Sequence, residues 1–108
     1  MVEPRFKSED DMAEAFQRAG YEKLDVLDPD EKIFLRREVI VDGDRKENID
    51  VTIWRSNYKP FVEFFFPQLS RCEGGYRKKK VTVTYAKKKD GMVPASIDYN
   101  EACGRMLV

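Results

Sequence analysis

Two runs of cations are the groups in this chain best suited to gripping an anion. Arg77 to Lys80 and Lys87 to Lys89 bracket a β-like run in the stretch GYRKKKVTVTYAKKKDG. Cationic side chains of this kind hold nucleic-acid phosphates, and aromatic rings beside them give bases a surface to stack on. The residues with that chemistry are Arg77, Lys78, Lys80 and Lys88 for phosphates, with Tyr76 or Trp54 for bases. By strand alternation Lys78, Lys80, Thr82, Thr84 and Lys88 share a face with Tyr76, while Val81, Val83 and Tyr85 share the other. From Lys80 to Lys88 is roughly 26 Å at about 3.3 Å per residue, too long for one phosphate pocket but suited to following a backbone. The same lysines also have a plainer use, which is to keep a strand soluble and discourage edge-to-edge pairing.

Catalytic chemistry finds little material. The chain has no histidine, so the commonest general base is missing, and with it any Ser-His or Cys-His pair. Cys72 stands beside Arg71, and a neighbouring cation favours a thiolate, yet one loop cysteine is ordinarily incidental. Cys72 and Cys103 lie far apart, in no zinc-like spacing. DVLDPDE and DGDRKE resemble calcium loops in their carboxylates, but neither has the glycine and glutamate spacing of an EF-hand, and both read as solvated loops. Gly74 and Gly75 alone do not make a phosphate loop. Glu63 sits among phenylalanines without a lysine two residues on, which disfavours a carboxylate-dependent hydrolase. No catalytic residue, metal or cofactor is expected, and the chain is read as a non-enzyme.

The elements that position these side chains follow from periodicity. Ser8 to Ala19 reads as a helix: Ser8 is an N-cap, Glu9, Asp10, Asp11 and Glu14 suit the positive end of the dipole, and Gly20 ends it. Met12, Phe16 and Ala19 mark its apolar face. After a connecting segment, YEKLDVLDPDEK, the period becomes two. Residues 33–41, 49–54, 61–67 (FVEFFFP), the lysine-bracketed stretch and 92–99 read as strands, with DGDRKEN as a polar loop and Asn57 to Pro60 as a turn. Pro94 marks the last strand as an edge.

Register decides which side chains share a face. The turn at Asn57–Pro60 aligns Ile53 with Val62 and Val51 with Phe64; the polar loop aligns Val39 with Val51 and Val41 with Ile49. A three-residue loop, Lys89 to Gly91, with Gly91 in a G1 bulge, pairs Val81 with Tyr99, Val83 with Ile97 and Tyr85 with Ala95. The inner face then runs continuously from Leu35 to Ile97, with Arg37 as its one misfit. The outer face gathers Phe34, Arg36, Ile40, Trp54, Phe61 and Phe65, with Arg36 beside Trp54. Aromatic surface of that extent marks either an interaction site or a second core side awaiting a cover.

Composition sets the outer bounds. The 108 residues suit one domain, and twenty basic against twenty acidic residues give a net charge of +0, which supplies no global attraction to DNA or anionic lipid. The charge is nonetheless divided: residues 1–31 hold ten acids and four bases, residues 71–108 nine bases and four acids. MVEPRFKSEDDM lacks the apolar segment of a signal peptide, and the two distant cysteines suit a reducing compartment, so a cytoplasmic protein is expected.

The expected fold is therefore α+β, one domain over 1–108 with an N-terminal helix on a curved antiparallel sheet of about five strands, a meander of hairpins. The expected function is a small soluble interaction module that binds another protein, a second copy of itself included, through an aromatic sheet face (Phe34, Arg36, Trp54, Phe61, Phe65) or a sheet edge. Small inhibitors and immunity or anti-defence proteins have this size and charge density. The alternative is a nucleic-acid-binding module built on Tyr76, Arg77, Lys78, Lys80 and Lys88. No membrane partner is expected.

Overall fold

A computed structural model describes residues 6–41, 43–66, 71–72 and 75–104, with side chains for 6–40, 43–66 and 79–99. The chain forms one helix, α1 (Glu9–Arg18), and strands β1 (Glu22–Leu24), β2 (Lys32–Val41), β3 (Arg45–Trp54), β4 (Phe61–Phe66), β5 (Arg71–Cys72), β6 (Gly75–Lys88) and β7 (Gly91–Gly104). All pairings are antiparallel. The sheet is six strands wide, in the order β1-β2-β3-β4-β6-β7; the two-residue β5 pairs with the start of β6 on the side that β4 occupies further along. The α+β fold of one N-terminal helix on an antiparallel sheet stands. The additional strands are β1 and the two-residue β5, both in segments expected to be connections; only β1 widens the sheet.

Local chemistry explains the helix. The Ser8 hydroxyl accepts a hydrogen bond from the Asp11 amide at 3.2 Å, and Glu9, Asp10 and Asp11 fill the first turn. Gly20, with φ at +98°, turns the chain out of the helix in a conformation that costs other residues strain. Met12 and Ala13 are buried, and Phe16 packs edge-on to Tyr21 and tilted against Phe64 at 5.3 and 5.7 Å. Ala19, expected on the buried face, is exposed.

The core is compact: Met12, Ala13, Ile33, Leu35, Val51, Ile53, Val62 and Met92, with Phe6, Phe16, Tyr21, Ile49, Phe64 and Tyr85 packed around it. Each fully buried aliphatic side chain contributes about 1.5–3 kcal/mol relative to exposure. The core fills only part of the inner face. Beyond the reach of the helix, Phe66, Ile97 and Tyr99 of the inner face are exposed. A radius of gyration of 15.3 Å, against about 13 Å for a compact chain of this length, agrees with a sheet wider than its cover.

Of the three expected registers, one matches, one matches over part of its length and one is corrected. Ile53 pairs with Val62, Val51 with Phe64, Val81 with Tyr99 and Val83 with Ile97. Between β2 and β3 the strands slide by four residues: Leu35, not Val39, faces Val51, and Val41 faces Arg45. The cause is a turn tighter than DGDRKEN suggested, with Gly43 at φ +88°, so that Arg45 to Asn48 belong to the strand. Four is an even shift, so every side chain keeps its face while its cross-strand neighbour changes. Arg37 therefore stays on the inner face but opposite Ile49, and it is exposed, its guanidinium running past Gly20 at the end of the helix. Between β6 and β7 the turn is Lys89-Asp90, with Lys88 opposite Gly91, and the irregularity falls between Thr84 and Tyr85, leaving Ala95 as the extra residue. Gly91 keeps a positive φ of +130° without being the bulge.

From Arg37 to Val41 and from Arg45 to Ile49 the two strands pair only with each other among the described residues, projecting as a ribbon past β1 and β4. Lys46–Glu38 at 3.9 Å and Arg45–Glu47 at 3.2 Å are ion pairs on it.

Candidate functional site

The outer face assembles in cross-strand rows. Lys32, Trp54, Phe61, Thr84 and Ser96 form one row; Leu24, Phe34, Thr52, Glu63, Thr82 and Asp98 the next; Glu22, Arg36, Asp50, Phe65 and Lys80 the third. Trp54 and Phe61 stack with centroids 5.8 Å apart and planes 20° from parallel. Lys32 Nζ caps the Trp54 ring at 5.1 Å. The indole Nε1–H donates to Glu63 Oε1 at 2.6 Å, and the other carboxylate oxygen of Glu63 meets Lys80 Nζ at 3.1 Å. Glu63 thus fastens the aromatic pair to the lysine-bearing strand. Lys80 also lies 5.9 Å from the Phe65 ring centroid.

The predicted contact between Arg36 and Trp54 is not made. The four-residue slide brings Lys32 opposite Trp54 and Arg36 opposite Asp50. Arg36 donates to both oxygens of Asp50, at 2.7 and 3.3 Å, and stacks over Phe34 at 5.5 Å. The Asp50 hydrogen bonds hold the Arg36 guanidinium still more firmly in its charged form.

Trp54, Phe61 and Phe34 are half-buried, and Phe65 is 39% exposed. Thr52, beneath them, is buried although no helix or strand among the described residues packs over this face. The side chains have lain down over one another and sealed their own surface. This arrangement falls between the two expectations of an open patch and a second core. Lys32 was the member that sequence reasoning missed; only the correct β2–β3 register reveals it.

No known protein family, curated protein or solved structure matches this chain.

The basic residues divide. Lys80 is committed to Glu63, and Lys87 pairs with Glu9 at 3.1 Å. Lys88 and Lys89 are exposed at the β6–β7 turn, where Lys7, Lys87, Lys88, Lys89, Asp90, Gly91 and Met92 line a concavity of about 390 Å³. The side chains of Tyr76, Arg77 and Lys78, and those of Cys72 and Cys103, lie outside the described residues, as does the apolar tail Met106 to Val108. Among the described residues no three potential metal ligands come together, and no helix is long and apolar enough to cross a membrane.

Proposed function

We propose that this chain is a small non-enzymatic protein-interaction module that binds a partner protein through the outer face around Trp54, Phe61 and Phe65. The observation that carries the proposal is an aromatic surface on a sheet face with no covering element among the described residues, rimmed by Lys32, Arg36, Asp50, Glu63 and Lys80. Stacked aromatics fixed by hydrogen bonds and cations lose little entropy on docking, which is the character of an interface anchor. An inhibitor, immunity or anti-defence role, in the cytoplasm, fits a small rigid plate of this kind. The test is recovery of the natural complex from source cells with wild type and with Phe65→Glu, after matching the urea midpoints of the two proteins. Loss of the partner with an unchanged midpoint supports the proposal; a complex that survives Phe65→Glu removes this face as the site.

The nucleic-acid alternative draws on the lysine-lined concavity at the β6–β7 turn. It ranks second because Lys80 and Lys87 are already paired with Glu63 and Glu9 of the same chain. It requires retention on heparin or single-stranded DNA that falls steeply with salt and is lost in Lys88→Glu with Lys89→Glu.

A further inference from the structure

The outer face holds cations in a repeated way, on a ring with a carboxylate beside it. Arg36 lies over the Phe34 ring at 5.5 Å and donates to Asp50 at 2.7 and 3.3 Å. Lys80 lies 5.9 Å from the Phe65 ring centroid and 3.1 Å from Glu63. Lys32 caps Trp54, whose indole is tied to the same Glu63. Phe61 is the ring of this group that carries no cation among the described residues. Trp54 covers one flank of it. On the other flank the row continues with Thr84 and Ser96, and the neighbouring row with Thr82 and Asp98. These side chains are short, so the aromatic surface steps down there to a polar ledge on β6 and β7. Asp98 is exposed and, among the described residues, pairs with no cation. Asp50 and Glu63 are already engaged, and Glu22 on β1 has Arg36 as its cross-strand neighbour. Phe61 and Asp98 are thus a ring and a carboxylate that lack their cation.

We infer that this ledge receives an arginine of the partner protein, its guanidinium stacked on the free flank of Phe61 and hydrogen-bonded to Asp98. The inference rests on the reading of this face as the docking surface. From Phe61 to Asp98 is two strands across and two residues along, about 10 Å by 7 Å between backbones. A guanidinium in contact with the ring, with a charge-assisted hydrogen bond of about 2.8 Å to the carboxylate, fills that interval between the two side chains. The Thr82, Thr84 and Ser96 hydroxyls make no side-chain hydrogen bond among the described residues and accept the remaining N–H groups of the fork. An ammonium would use the carboxylate alone. The planar fork uses ring, carboxylate and hydroxyls together, as Arg36 uses Phe34 and Asp50 on the same face. Lys80 lies diagonal to Asp98 across β6 but is committed to Glu63, so it opposes the incoming charge little.

The test is titration of the full chain with N-acetyl-arginine methylamide, followed by amide chemical shifts, beside the same titration with the citrulline compound, which keeps the shape and loses the charge. The expected result is saturable shifts at Thr82, Thr84 and Asp98 with millimolar affinity. That affinity should fall about tenfold for the citrulline compound, and by a similar factor for the arginine compound in Asp98→Asn, the loss of one charge-assisted hydrogen bond. No saturable shift at these amides overturns the inference, as does equal affinity for the two compounds or an Asp98→Asn variant that binds as wild type does. The citrulline comparison needs no variant and decides even if Asp98→Asn fails to fold. Failure here is separable from failure of the docking face. A natural complex lost in Phe65→Glu but unchanged in Asp98→Asn removes the arginine and keeps the face; a complex that survives both removes the two together.

Discussion

Lys87 Nζ lies 3.1 Å from Glu9 Oε1, joining the far end of β6 to the first turn of the helix. The two residues are 78 apart in sequence, and Glu9 is 5% exposed while the lysine keeps contact with water. Lys87→Met strands a buried carboxylate without its cation. The expected cost is about 1–3 kcal/mol in urea unfolding, and adding Glu9→Gln should return part of it, because removing both partners leaves no orphaned charge.

Arg55 grips Asp10 with two hydrogen bonds of 2.9 and 3.0 Å, and these hold the Asp10 carboxyl below the ordinary carboxylate range. The folded protein therefore protonates Asp10 at lower pH than the unfolded chain does. The stabilisation is complete above the unfolded value of about 3.9 and disappears as pH falls through the folded value. Asp10→Asn should lower neutral-pH stability by only about 0.2–1 kcal/mol, since the carboxylate is largely solvated. The difference from wild type should close on acidification. A gap that persists at low pH would assign the effect to packing instead.

Trp54→Phe keeps a ring over Phe61 but deletes the bond to Glu63. Loss of about 1 kcal/mol in thermal unfolding followed by circular dichroism is expected. Trp54→Ala should cost more, because the stack and the Lys32 contact go with it. Equal losses would mean that the hydrogen bond alone matters.

Gly20→Ala tests backbone strain by itself. A methyl group there meets nothing closer than Arg37 Nε at 3.7 Å, ordinary contact, while φ stays at +98°. A loss of about 1 kcal/mol is expected in denaturant titration, and a neutral result would show that the helix end relaxes.

The parts of the fold legible in the sequence are those where a local device fixes geometry. Ser8 and Gly20 bound the helix because cap chemistry is local. The β3–β4 register follows from the Asn57–Pro60 turn and two strictly alternating strands. The β2–β3 register was hidden because Arg45 to Asn48 are polar on both faces, so no apolar period announces a strand. That slide carried the main error at the candidate site, exchanging Arg36 for Lys32 over Trp54. The bulge at Ala95 has no residue-type signature, whereas Gly91 offered a conventional but incorrect place for it. The exposure of Ile97 was not legible either, because alternation gives a side chain's face and not how far a helix of ten residues reaches.

The β2–β3 ribbon is, mechanically, a cantilever. Its root is clamped between β1 and β4, and among the described residues its span from Arg37 to Val41 and from Arg45 to Ile49 is held by one ladder alone. Two strands without flanking partners are marginally stable in water. The span can unzip from its tip while the root keeps Leu35 and Val51 sealed, so a protease would shorten the lever before it damaged the body that carries it.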